Sequence, residues 1–361
     1  MKWLTIFIVL ALLGGGIIVV HRHRVNTWQM PPTTSPETVH PTTPPKTVPP
    51  TTPPTKIPPT MPPTPMPPTT PPAPSGSNGS KVISPASGNY DKSLTWGGLK
   101  RTYMVHLPTG YDISKEYPLL VVLHGGFGTA KSMESSTGLS LVSDANGFIV
   151  VYPEGTTGVT GVSSWNAGGC CSQAVTKNID DVGFIRQVVA TLKSTYRITN
   201  GRIFVTGMSN GAMLTNRLAC EAADIFSGAA AVSGTIQVDT CKPAHTIPFL
   251  MVHGTNDGSV PYTGGKGTGS GTANSTFLPV EQALADWANR NKCSSSPTTT
   301  AISPLVQDGI TIDKIVYGSC SASTLMYRIN GGVHSWPGGT SDTSTKAFNA
   351  SDAIWKFFSS I

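Results

Sequence analysis

From Leu99 to the C-terminus, short apolar runs alternate with segments whose apolar residues recur at helical spacing. KRTYMVHL alternates as a half-buried strand does, whereas PLLVVLHG, FIVVYPE, RIFVTGM, GAAAVSG and PFLMVHG are continuous apolar runs, the pattern of strands covered on both faces. IDDVGFIRQVVATLKSTYR sets Val182, Ile185, Val189, Leu192 and Tyr196 on one helical stripe, with Asp180 and Asp181 at its start, where carboxylates suit the helix dipole. NGAMLTNRLACEAAD, LPVEQALADWANRN and TKAFNASDAIWKFFSS read as further helices and TLMYRIN as a further strand. This alternation predicts an α/β fold with a mostly parallel, doubly wound sheet and helices on both faces.

In an open sheet of that kind, ligands bind at the carboxyl ends of the strands. Ser209 follows RIFVTGM, Asp257 follows PFLMVHGTN, and His334 lies in the loop GGVHSWPGG beyond TLMYRIN. Gly126 follows PLLVVLHG, so four candidates arrive at one edge. Gly207-Met208-Ser209-Asn210-Gly211 is a Gly-x-Ser-x-Gly turn between a strand and a helix. Such a turn strains the serine backbone and holds its hydroxyl out of the sheet, and the glycines keep side chains off the neighbouring strand and helix. In that arrangement His334 would take the serine proton, Asp257 would orient the imidazole, and the amides of Asn210 and Gly126 would hold a developing oxyanion.

Rival groups have plainer readings. Asp180 and Asp181 fit helix-start roles, and His106 sits on an exposed-looking strand face. His124 and His253 end their strands and would hold loops by hydrogen bonds, and His245 precedes the strand leading to Asp257. Trp165, in SWNAGGCC, is a substrate-binding candidate that would stack on an aromatic or sugar ring; the alternative is that it packs beneath its own loop. Trp336 is expected to prop the histidine loop.

The chain divides into three parts: residues 1–30, 31–80 and 81–361. Residues 31–74 hold 20 of the 31 prolines and 13 threonines with no aromatic residue, which predicts an extended, disordered linker of the O-glycosylated-stalk type. Before it, an 18-residue apolar run from Trp3 to Val20 reads either as a cleaved signal peptide or as a retained single-pass anchor. Either one carries the domain out of the cytosol, to be secreted or displayed at the cell surface. Residues 1–80 carry five Lys/Arg and one Glu, so the remaining 20 basic and 18 acidic residues leave the domain nearly neutral. That balance speaks against a nucleic-acid partner.

All six cysteines fall in the domain, which for an exported chain predicts disulfides. Cys220 with Cys241 and Cys293 with Cys320 are the economical pairings; the partners of the adjacent Cys170 and Cys171 stay open. No CxxC spacing exists and no metal site is expected. Asn78, Asn274 and Asn349 head sequons that permit glycosylation.

LHGGFG, IVVYPEG, SWNAGGCC, NIDDVGFIRQVV, VTGMSNGAM, VHGTNDGSVPY and GGVHSWPGG, in that order, resemble the secreted polyhydroxybutyrate-depolymerase-like esterases, which include feruloyl and acetylxylan esterases. The resemblance runs from about Ser84 to the C-terminus. It implies an α/β-hydrolase fold and carboxylic-ester hydrolysis without a cofactor, with Ser209 as nucleophile, Asp257 as acid and His334 as base. Depolymerases of this kind often carry cysteine where this chain has Gly126, which leans the expectation away from a polyester depolymerase; with the triad, the resemblance implies release of phenolic acids or small acyl groups from plant polysaccharide. Polyhydroxybutyrate depolymerase and acetylxylan esterase are the alternatives, and a non-catalytic surface binding module is a third. A monomer is expected, touching a membrane only through the N-terminal segment if that is retained.

Overall fold

A computed structural model of the protein describes residues 85–361 except 160, 270–274 and 295, and all of these fall in one unit beginning at Asn78. The N-terminal apolar run, the linker and the sequons at Asn78 and Asn274 lie outside the described residues.

The described chain opens with β1 (Gly88–Trp96) and β2 (Leu99–Leu107), joined through Gly97 and Gly98 at φ of 57° and 76°. Positive φ at both central residues makes the tight hairpin turn that matches strand twist. Next come β3 (Tyr117–Leu123), α1 (Ala130–Thr137), α2 (Leu139–Asn146) and β4 (Ile149–Pro153). A small hairpin of β5 (Thr156–Thr157) and β6 (Ser163–Ser164) leads through α3 (Ser172–Thr176) to α4 (Asp181–Thr195). Then follow β7 (Ile198–Met208), α5 (Asn210–Glu221), β8 (Gly228–Val232) and β9 (Phe249–Gly254). The chain finishes with β10 (Gly265–Lys266), β11 (Thr276–Phe277), α6 (Val280–Arg290), β12 (Pro297–Ile302), β13 (Thr311–Tyr317), β14 (Thr324–Asn330) and α7 (Ala350–Ser359).

Ten strands form one sheet in the order β1-β2-β4-β3-β7-β8-β9-β14-β13-β12. The six central strands, β4 to β14, run parallel, as the buried apolar runs predict. Antiparallel strands widen the sheet at both sides, and the outermost, β12, is polar and almost wholly exposed, as an unpaired edge must be. Successive residues of β3 point to opposite faces. Leu119, Val121 and Leu123 enter the core shared with α4, α5 and α6, whereas Leu120 and Val122 enter the one shared with α1, α2 and α7. Two apolar layers thus hold helices on both faces, and every parallel strand delivers its carboxyl end to one edge.

One expectation needs correction, and one segment had no reading. The serine-rich segment after LHGGFG forms α1 and α2, which its weak apolar pattern does not announce; α1 begins at a Thr129–Ser132 capping box. His106 is buried, because α2 covers that strand face and supplies Asp144 at 3.3 Å, while Asn89 bonds the other ring nitrogen at 2.7 Å.

Candidate active site

The turn at the end of β7 is the strained elbow its glycines predict. Ser209 has φ 55° and ψ −121°, a backbone conformation that costs an L-residue free energy and persists only when its surroundings fix it. The fixing is visible: Ser209 N–H donates to the Val232 carbonyl at 2.9 Å, and its own carbonyl accepts from Met213 N–H at 2.9 Å. A Cβ on Gly207 would lie 2.6 Å from the Gly211 carbonyl, and one on Gly211 would strike the carbonyl oxygens of Leu123 and His124. Neither position tolerates a side chain.

His334 and Asp257 meet at this serine. His334 Nε2 stands 3.0 Å from Ser209 Oγ, and its Nδ1 lies 2.8 Å and 3.0 Å from the two carboxylate oxygens of Asp257. Nδ1 therefore carries the proton that it donates to the carboxylate, leaving Nε2 free to accept from the serine hydroxyl. Asp257 is buried, and its Oδ1 also accepts from the amides of Ser259 at 2.9 Å and Val260 at 2.8 Å. Burial alone would raise its pKa, but hydrogen bonds from His253 and His334 outweigh it and hold the carboxyl well below the usual range. The histidine loop is braced from behind by buried Trp336, whose indole N–H donates to Ser351 Oγ on α7 at 2.9 Å.

The LHGGF turn closes the other side. A Cβ on Gly125 would sit 3.3 Å from Ser209 Cβ, and one on Gly126 would sit 3.9 Å from Asn210 Cβ. The backbone at Gly125 thus approaches the serine closely, whereas a Cβ on Gly126 would make only ordinary contact, and the amides of Gly126 and Asn210 lie on the two segments that flank the serine. His124 holds the turn as expected: Nδ1–H donates to the Gly125 carbonyl at 2.7 Å, and Nε2 accepts from Gly155 N–H at 2.9 Å. Burial, with a further push from the Arg101 charge, outweighs the Gly125 hydrogen bond and brings the His124 pKa down to about 4, so this imidazole is neutral.

Trp165 does not face the site opening. It is fully buried, its indole N–H donates to the His124 carbonyl at 2.8 Å, and its ring lies 4.9 Å from the His124 ring. Stacking on a substrate ring is therefore replaced by the packing alternative, with Trp165 as a support beneath the turn. Three residues that hold this loop were not singled out for that role. The side chain of Asn210 bonds the Trp165 backbone at both N–H (2.7 Å) and C=O (3.1 Å). Buried Asp181 accepts from Arg101 at 2.7 Å and from Asn166 N–H at 2.7 Å, which occupies it fully as a structural ion pair. The cue for Arg101 was its place on the alternating strand KRTYMVHL; an inward-facing arginine there calls for a buried acid.

Cys220–Cys241 and Cys293–Cys320 pair as expected, and the open question resolves into a bond between Cys170 and Cys171. Asn349 caps α7, its side-chain oxygen accepting from Asp352 N–H at 3.2 Å. Among the described residues no helix is long and apolar enough to cross a membrane, and no cluster of three or more metal-ligating side chains occurs.

Strained serine, histidine and acid at the carboxyl edge of a largely parallel sheet define the α/β-hydrolase fold. The acetyl xylan esterase of Aspergillus awamori shares it, with a TM-score of 0.50 over 75% of this chain and 99% of that one; at 18% identity the likeness is one of fold. Residues 101–261 match the family model described as Esterase PHB depolymerase, a likeness over somewhat less than half of the chain. Feruloyl esterase B of Piromyces equi is 31% identical over 202 residues, 55% of this chain and 37% of that protein, so the match spans little more than a third of that relative. Putative esterase NocK of Nocardia uniformis subsp. tsuyamanensis is 29% identical over 69% of this chain and 74% of its own. Poly(3-hydroxyalkanoate) depolymerase C of Paucimonas lemoignei is 34% identical over 36% of this chain and 30% of its own.

Proposed function

We propose that the protein is an extracytoplasmic serine carboxylic-ester hydrolase in which Ser209 is the nucleophile, His334 the general base and Asp257 its orienting acid. The hydrogen-bonded series Ser209 Oγ, His334, Asp257 carries this reading. His334 Nε2 takes the hydroxyl proton as Ser209 Oγ attacks the ester carbonyl carbon. The amides of Gly126 and Asn210 receive the oxyanion of the tetrahedral intermediate. Collapse breaks the bond to the alcohol, which leaves with the proton from His334, and water then repeats the sequence on the acyl-enzyme. Asp257, held ionised, stabilises the imidazolium at each stage.

The similar proteins named feruloyl esterase and acetylxylan esterase support a phenolic or small acyl ester of plant polysaccharide as substrate. In this proposal residues 81–361 are the catalytic domain, 31–80 a spacer, and 1–30 a signal or anchor. The similarity to a poly(3-hydroxyalkanoate) depolymerase favours a polyester as the second reading. Hydrolysis of methyl ferulate, an aryl acetate and a 3-hydroxybutyrate oligomer by the full chain separates them. Turnover of ferulate supports the first reading, and cleavage of the oligomer alone moves the assignment to the second. Inactivity of the folded protein on all three overturns both.

A further inference from the structure

Apart from the serine site, a cavity opens on the same edge of the sheet. It encloses about 410 Å³, within the range of small-ligand sites, and Lys100, Arg101, Glu154, Thr157, Gln173 and Lys177 are among its lining residues. The strand registers place it. Leu123 lies opposite Gly207, Val121 opposite Val151 and Tyr103 opposite Pro153, so Arg101 and Glu154 emerge at the level of Ser209. Since β2, β4, β3 and β7 are consecutive neighbours, the cavity lies roughly 14 Å from the serine at about 4.8 Å per strand.

Rigid structure joins the two places. Gly155, on the cavity wall, donates to His124, and His124 donates to Gly125, which touches Ser209. Thr157, also on the wall, pairs with Ser163, whose carbonyl accepts from Phe127 N–H at 3.0 Å. The β5–β6 hairpin is thus the partition between cavity and oxyanion turn.

The lining chemistry selects a ligand. Three cations face one carboxylate, and no aromatic ring is among the described residues that line it. Arg101 is neutralised by Asp181, whereas neither Lys100 nor Lys177 is in an ion pair with a carboxylate among the described residues. Glu154 turns one oxygen to the Ala130 amide at 2.7 Å.

We propose that this cavity binds a uronic-acid residue of the glycan whose ester is presented to Ser209, with Lys100 and Lys177 contacting the sugar carboxylate. The inference rests on the ester-hydrolase reading of the serine site. Its test uses the full chain on two acetylated xylo-oligosaccharides of equal length, one bearing a glucuronic-acid branch and one neutral, beside an aryl acetate. For two exposed lysines the expected preference in kcat/KM is about three- to fivefold for the acidic substrate, carried in KM and lost in high salt. Lys100→Ala/Lys177→Ala brings the acidic-to-neutral ratio to one, and Lys100→Glu/Lys177→Glu inverts it. A wild-type ratio of one at low salt, or a ratio that survives both substitutions, overturns the inference. Failure on the aryl acetate counts against the esterase reading instead. Calorimetric titration of the unesterified acidic oligosaccharide into Ser209→Ala then decides the cavity separately: binding that the lysine substitutions abolish supports it, and no binding overturns it.

Discussion

Asn210 holds Trp165 by both ends of its backbone, accepting from the N–H at 2.7 Å and donating to the C=O at 3.1 Å. The side chain of the residue that follows the serine thus ties down the loop supporting the opposite turn. Asn210→Ala keeps the amide but leaves the buried Trp165 N–H without a partner and its C=O with only the Cys171 N–H at 3.4 Å. The expected cost is about 2–3 kcal/mol in urea unfolding, with a larger loss in kcat than in substrate affinity. Stability and kcat both near wild type would show that the loop is held by other contacts.

The elbow glycines admit no substitution. Gly207→Ala places a methyl 2.6 Å from backbone atoms of Gly211, where no side chain can rotate away. The variant is expected to lose on the order of 3 kcal/mol or more, or to yield no soluble protein, through clash and backbone displacement. Thermal unfolding of any soluble fraction measures this, and an unchanged midpoint would contradict the packing described.

Acid should weaken the fold through His124. The unfolded chain binds a proton at this residue near its reference value of 6.5, whereas the folded chain does so only at about 4. Between those values the unfolded state binds more protons, so stability falls as pH drops through the window, by up to about 3 kcal/mol. His124→Gln should flatten this slope in denaturant titrations at several pH values. A slope identical in both proteins would remove His124 as the source.

The Cys220–Cys241 bond closes a loop across 21 positions, from the end of α5 to the segment before β9. For a loop of that length the constraint on the unfolded chain is worth about 3 kcal/mol. Cys220→Ala/Cys241→Ala should lower the urea midpoint accordingly, and since the bond lies at the far end of α5, KM should stay unchanged. A large change in KM would show that the far end of α5 communicates with the site.

Much of this arrangement was legible in the chain because strand ends and site coincide. Ser209 and Asp257 each follow a continuous apolar run, His334 lies beyond the strand TLMYRIN, and the parallel sheet carries all three to one edge. Less legible was what depends on contacts between distant segments. Trp165 looks from its neighbours like an exposed loop aromatic, yet it is buried because Asn210 and His124, 45 and 41 residues away, bond its backbone and ring nitrogen. His106 sits on an alternating strand whose outer face reads as solvent-facing until α2 covers it. The helices α1 and α2 pass unannounced because serine-rich turns with few apolar residues carry little periodic signal, and a capping box supplies what the pattern lacks.

The most direct test of the central claim is covalent labelling of the full chain with a fluorophosphonate, followed by peptide mass spectrometry and by ester hydrolysis with Ser209→Ala. The geometry predicts one adduct, on Ser209, and a fall in kcat on the order of 10⁴ or more in the variant. An adduct on another serine, or a folded Ser209→Ala that still turns over ester near the wild-type rate, would contradict the account.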